Sequence, residues 1–289
     1  MTVTILALVL ASSALHPLRE FFIKGDATPS GVTLAVVFQF CILAGLQTWI
    51  EDADIRTAFQ VWPAMLVSGL AILFFYWCLV MTLRIGDLSV YYPITRSSPL
   101  FVVVAGFLFL GHSYSPMMLS GIGLVLVGAF LLQYRPGSHL FSQPKTLTLA
   151  IFAFCAHGVI MLADAEAMRV AEPSSYMFVQ YLFLTPGMAI VFLSTKPPDL
   201  SHYQHLISGW VRTPVRFVIA GVTAYASYYL ILWVFQLGAN VAAVSAVRQI
   251  SIPASVVMGC MIFKEERMTA RLAWSVLLAL GIVVIIFSK

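Results

Sequence analysis

Ten apolar stretches, each about as long as one crossing of a bilayer, follow one another with little between them. They run Val3–Ile23, Gly31–Ile50, Val61–Leu83, Leu88–Leu110 and Ser115–Tyr134, then, after a polar gap, Leu147–Met168, Tyr176–Leu193, Phe217–Leu237, Val241–Phe263 and Leu272–Phe287. No other feature restricts the fold as much. Hydrocarbon offers no partner for an unpaired amide, so only helices and closed barrels span a membrane. Barrel strands alternate polar and apolar side chains, whereas these stretches are apolar on every side. The reading is ten transmembrane helices.

Composition supports it. Charged residues make up only 10% of the chain and hydrophobic residues 61%, against about 25% charged in a soluble globular domain. The links hold most of the punctuation, including Gly25, Pro29, Gly86, Gly111, Pro116 and the pair Pro197-Pro198. The longest, near 135–146 and 194–216, are too short for a further domain. The first stretch lacks the positively charged start of a signal peptide, so it is read as retained.

Several function classes drop out. A net charge of +4 with no basic run argues against a nucleic-acid partner. Cys41, Cys78, Cys155 and Cys260 are widely spaced within apolar stretches, which predicts neither a metal site nor a disulfide framework. The chain has no GxxxxGK loop for ATP and no HExxH or GxSxG motif. The reading is therefore not an enzyme, with no cofactor.

Lysines and arginines set the orientation, because cytoplasmic loops carry the excess. With ten spans both termini share one side, which holds Arg56, Arg169 and Lys289. The opposite side holds ten, among them Lys24, Arg84, Arg135, Lys145, Arg212 and Arg216. Both termini are thus expected on the non-cytoplasmic side of the cell membrane.

The third and fourth stretches repeat in the eighth and ninth. Gly69, Tyr76, Gly86 and Arg96 match Gly221, Tyr228, Gly238 and Arg248, each pair 152 residues apart. The first and sixth echo one another as well, Ala14-Leu15-His16 beside Cys155-Ala156-His157. Each copy holds five spans, and an odd number forces the second copy to enter upside down. The expected fold class is therefore an all-α integral membrane protein, ten transmembrane helices as two inverted five-helix repeats at residues 1–138 and 139–289. Inverted repeats recur in secondary transporters, whose sites lie near the midplane.

The run Tyr91-Tyr92-Pro93-Ile94-Thr95-Arg96-Ser97-Ser98-Pro99, the later Ala246-Val247-Arg248-Gln249-Ile250-Ser251-Ile252-Pro253 and the turn Phe263-Lys264-Glu265-Glu266-Arg267 resemble the drug/metabolite transporter superfamily, in its EamA-type ten-span branch. The first copy departs from that turn, with Leu110-Gly111-His112-Ser113 in its place. Ala14-Leu15-His16 through Lys24 is similar to a subgroup associated with phosphonate use, although that subgroup carries Trp-Asn where this chain has Arg19-Glu20. The resemblance implies alternating-access transport of a small molecule and leaves the substrate open.

Arg96 lies about eight residues into its stretch, roughly 12 Å deep at 1.5 Å per residue, and Arg248 holds the matching place. Buried guanidiniums are costly and normally face a cavity or a partner. Facing one cavity, the two suit a phosphate, phosphonate or carboxylate; the alternative is that each pairs with an acid or caps helix carbonyls. Tyr76, Tyr92 and Tyr228 can orient a polar substrate or simply pack and belt the interface. His16, Arg19 and Glu20 share one face of the first helix, and His157 and Asp164 one face of the sixth. On the functional reading His16 and His157 contact substrate or relay protons, and Glu20 and Asp164 carry proton coupling. On the structural one they form an interfacial ion pair and satisfied buried groups.

The leading expectation is secondary active transport of a small polar metabolite, anionic or zwitterionic, with protons as a coupling partner. An amino-acid or drug exporter is the second reading. A lipid-headgroup flippase or intramembrane enzyme is the third, and membrane lipid is a partner in all. The chain is read as a monomer or a homodimer, with Gly121, Gly123 and Gly128 as a small-residue face for a second copy or for packing within one chain.

Overall fold

The computed structural model describes residues 1–23, 29–85, 94–95, 97–133, 143–194, 214–253 and 268–288, at several helix ends within these ranges by the backbone alone. Among the described residues the protein is all-helical. Eleven α-helices follow in chain order: α1 (Val3–Ile23), α2 (Pro29–Glu51), α3 (Ile55–Gln60), α4 (Trp62–Ile85), α5 (Ser98–Leu110), α6 (Pro116–Gln133), α7 (Pro144–Ala167), α8 (Pro173–Ser194), α9 (Pro214–Gln236), α10 (Val241–Val247) and α11 (Met268–Phe287). A 3-10 turn over Arg248–Ile250 continues α10.

Proline and glycine set many of these boundaries. Five helices, α2, α6, α7, α8 and α9, begin on a proline. At the first helical position the missing N–H is one the helix leaves unpaired anyway, and the fixed φ suits the helix. Gly111, with φ +65°, ends α5, and Gly238, with φ +77°, follows α9. Both occupy the left-handed region that only glycine adopts without strain. Asp54 caps α3 by accepting from the Arg56 amide at 2.9 Å, and Asn240 caps α10 through the Ala243 amide at 3.1 Å.

Leu34–Glu51, Trp62–Leu79, Pro144–Ala167 and Pro214–Gln236 are long and apolar enough to cross a membrane, and shorter apolar helices accompany them. Large apolar side chains such as Trp49, Leu70, Phe109 and Phe183 lie exposed on their outer surfaces, which suits a lipid solvent. This is a multi-pass membrane protein. Among the described residues each of the ten apolar stretches carries an α-helix, and α3 lies where the sequence reading placed only a link.

The chain divides into two compact units, one of residues 1–14, 74–162 and 239–289, the other of residues 15–73 and 163–238. In the first, α6 packs along α11, and α10 packs on α5, α6 and α11. The α6–α11 approach is close enough that a Cβ added at Gly121 would lie 2.9 Å from the Gly281 carbonyl oxygen, and one at Gly128 would lie 2.8 Å from the Leu278 amide nitrogen. These two glycines therefore pack a helix of their own chain, whereas Gly123 has nothing within 4 Å.

In the second unit α2 packs on α8 and α9, and α3 also lies against α8. Gln39 of α2 donates to the Phe217 carbonyl of α9 at 3.2 Å. Thr57 of α3 holds the start of α8, accepting from the Glu172 amide at 3.3 Å and lying 3.2 Å from the Ser175 hydroxyl. Pro186 interrupts α8 from within. Its ring nitrogen has no proton for the Leu182 carbonyl.

Candidate functional site

A carboxylate deep in an apolar helix organises the second unit. Asp164, near the end of α7, is 1% exposed. Its Oδ1 accepts from the Ser68 hydroxyl of α4 at 2.5 Å and from the Tyr176 hydroxyl of α8 at 2.8 Å. Its Oδ2 accepts from the Tyr228 hydroxyl of α9 at 2.5 Å. One side chain thus collects hydroxyls from three other helices. A buried carboxyl without such donors would carry a heavy desolvation cost. Gln180, one turn after Tyr176, donates to Ser68 at 3.0 Å and to Tyr176 at 3.1 Å, which aligns both hydroxyls for donation to Asp164.

Aromatic rings surround the cluster. Phe40 of α2 lies 4.8 Å from Tyr181, 5.7 Å from Tyr225 and 6.3 Å from Tyr228, centroid to centroid. Tyr225 and Tyr229 stack 6.3 Å apart along α9. Tyr225 donates to Gln47 at 2.6 Å and Tyr229 to Glu51 at 3.2 Å. The rings therefore run along α9 between the buried Asp164 and the exposed Glu51.

In the first unit His157 of α7 and Ser98 of α5 lie 2.7 Å apart, Nδ1 to Oγ. The Phe75 ring lies 5.4 Å from the imidazole. Arg248 sits where α10 gives way to the 3-10 turn. Its guanidinium reaches the Met161 sulfur at 3.7 Å, and Met161 is one helical turn from His157 on α7. The first unit therefore brings to α7 a half-buried imidazole with a buried hydroxyl against it and, one turn further along, a half-buried cation.

The sequence-predicted residues distribute as follows. Asp164 and Tyr228 meet directly. His157 lies on α7, and Arg248 reaches Met161 one turn further along the same helix. Tyr76 is half-buried with its ring 5.2 Å from that of Phe75, and among the described residues its hydroxyl makes no hydrogen bond. Arg96 and Tyr92, and the side chains of His16, Arg19 and Glu20, lie outside the described residues. Glu166 and Arg169 form an exposed ion pair at 3.2 Å, of the surface kind that contributes little. Sequence reasoning passed over Ser68, Ser98, Tyr176 and Gln180. Their signal was present, since each is a polar side chain within or beside an apolar stretch, where polar groups are expensive and usually partnered.

Residues 2–134 match the model of the EamA-like transporter family. The likeness is to a family described as transporters and covers a little less than half of the chain. A solved crystal structure is similar in fold, with a TM-score of 0.75 and 15% sequence identity, covering 98% of this chain and 96% of its own. No curated protein matches the sequence.

Proposed function

We propose that the protein is a secondary active transporter of a small anionic or zwitterionic metabolite, bearing a phosphate, phosphonate or carboxylate, and that Asp164 couples it to protons. The whole chain is read as ten membrane-spanning helices in two inverted five-helix repeats, 1–138 and 139–289, with both termini on the non-cytoplasmic side. Two packings inside the units support the repeat. The second helices of the two halves, α2 and α8, lie together, as do the fifth helices, α6 and α11.

The observation that carries the substrate class is the placing of Arg248. A guanidinium occupies the point where a regular helix tightens into a 3-10 turn, against Met161, one helical turn along α7 from His157. Transporters of the inverted-repeat kind bind substrate where membrane helices are interrupted, and a guanidinium recognises an oxyanion with two parallel hydrogen bonds. Arg96, at the equivalent place in the first half, is assigned the same role, with Tyr76, Tyr92 and His16 beside it.

The hydroxyl cluster supplies the chemistry for coupling. As a carboxylate, Asp164 accepts from Ser68, Tyr176 and Tyr228. Once protonated it becomes a donor at one oxygen, and a hydroxyl that donated there must turn away. Protonation therefore loosens the tie among α4, α7, α8 and α9. Glu20 is the second candidate for a coupling role.

Reconstitution into proteoliposomes tests the reading. Arg248→Ala and Arg96→Ala should abolish uptake of a phosphonate or carboxylate substrate at unchanged expression. Full uptake by both variants removes the arginines from the mechanism. Lipid translocation without transport of any water-soluble compound would favour a flippase.

A further inference from the structure

The second unit holds a groove of about 440 Å³ between the start of α4 and the middle of α8. Trp62, Leu66 and Leu70 form one wall, and Phe183 and Leu184 the other. All but Leu184 are more than half exposed, so the groove opens sideways on an apolar surface. One polar side chain lines it, Gln180, which is 2% exposed. Its amide nitrogen is committed to Ser68 and Tyr176. Its Oε1 is buried and has no hydrogen-bond partner among the described residues.

An acceptor without water or a protein donor carries a penalty, which a donor entering from the groove relieves once a small shift of the lining side chains uncovers it. The groove's volume lies within the range of small-molecule sites, about 300–1,000 Å³, and its lining has their usual character, mostly apolar with a few placed polar groups. A water-soluble metabolite is poorly served by such walls. A molecule dissolved in the bilayer is well served.

We propose that this groove is a lateral binding site for a membrane-resident amphiphile, whose apolar tail lies between α4 and α8 and whose single O–H or N–H donates to Oε1 of Gln180. The site is separate from the transport substrate's and does not depend on Arg248 or on proton coupling. Its occupant meets the same amide that aligns Ser68 and Tyr176 on Asp164, so binding is felt at the buried carboxylate.

The test uses the full chain in phosphatidylcholine nanodiscs, irradiated with a long-chain alcohol carrying a diazirine in its tail, and separately with the methyl ether of that alcohol. Saturable labelling is expected in the peptides holding residues 59–73 and 180–184. The ether, which has no donor, should need about five- to tenfold more probe for half-saturation. Equal half-saturation by the two probes, or labelling that never saturates, would overturn the proposal. A Cβ at Gly69, on the groove floor, would meet Leu184 at 3.9 Å, an ordinary contact. Gly69→Phe should therefore fill the groove and remove labelling at those peptides, and undiminished labelling in a folded Gly69→Phe would also overturn it. The comparison of alcohol with ether needs no variant and decides the matter even where Gly69→Phe fails to fold.

Discussion

The Tyr228 hydroxyl donates to Oδ2 of Asp164 at 2.5 Å, so the phenol of α9 and the carboxylate of α7 hold their helices together through one short bond. The other oxygen is occupied by hydroxyls from α4 and α8. Four helices thereby share a single acid in surroundings that offer little else to bond to. A group placed this way is either the rivet of the unit or the part that moves, and the two roles separate experimentally.

Tyr228→Phe removes one donor and leaves the ring in place. Interhelical hydrogen bonds in membrane proteins contribute on average about 0.6 and at most about 1.7 kcal/mol. A loss of about 0.5–2 kcal/mol is expected, read as a lowered unfolding temperature in detergent. An unchanged transition would show that the bond is not holding the unit together.

Asp164→Asn keeps the shape of the side chain and cannot take up a proton. One of its two terminal atoms is now a donor, so a hydroxyl that donated there must turn. Uptake by the unaltered protein should respond to an imposed pH gradient, whereas Asp164→Asn should run at one rate with or without it. Gradient dependence that survives the substitution would move coupling to another group, Glu20 being the next to examine.

Ser98→Ala takes away the hydroxyl 2.7 Å from His157. A lost hydrogen bond of this kind is worth about 0.5–1.5 kcal/mol. If the imidazole orients substrate, the KM for uptake should rise about two- to tenfold with little change in unfolding temperature. A change confined to unfolding would make the pair purely structural.

Gly121→Leu forces a side chain against backbone. Its Cβ would lie 2.9 Å from the Gly281 carbonyl oxygen and 3.0 Å from the Ile285 amide nitrogen, neither of which can swing aside. Overpacking of this sort costs about 1–3 kcal/mol, so the unfolding temperature should fall clearly. Gly123→Leu, at a position with nothing within 4 Å, should leave it nearly unchanged.

Much of the helix pattern was legible because lipid imposes it. Length and apolarity marked the ten stretches, and prolines and glycines marked several of their ends. The short α3 escaped because Ile55–Gln60 is half polar and too brief to show a period. Asp54, a capping residue ahead of Thr57, was its one local cue. Within the candidate site, Asp164 stood out as an acid among apolar neighbours, and Tyr228 through its match to Tyr76. Their pairing did not, since hydrogen bonds between residues 64 apart depend on how helices pack. The twin tyrosines also differ in place: Tyr228 meets a carboxylate, while the Tyr76 ring packs beside Phe75. Ser68 and Gln180 gave no chemical motif and gain meaning only from the partners that folding brings to them.

Pro186 leaves the Leu182 carbonyl without its usual amide, in a helix that also carries Tyr176 and Gln180 nearer its start. A rod with one rung missing bends most easily at the gap. The start of α8 is tied to Asp164 through Tyr176 and to Thr57 through Ser175, while beyond the proline Gly187 packs closely on Leu73 and Met188 is buried. Replacing Pro186 by alanine would restore the rung and stiffen the rod while leaving Asp164 and the hydroxyls around it untouched.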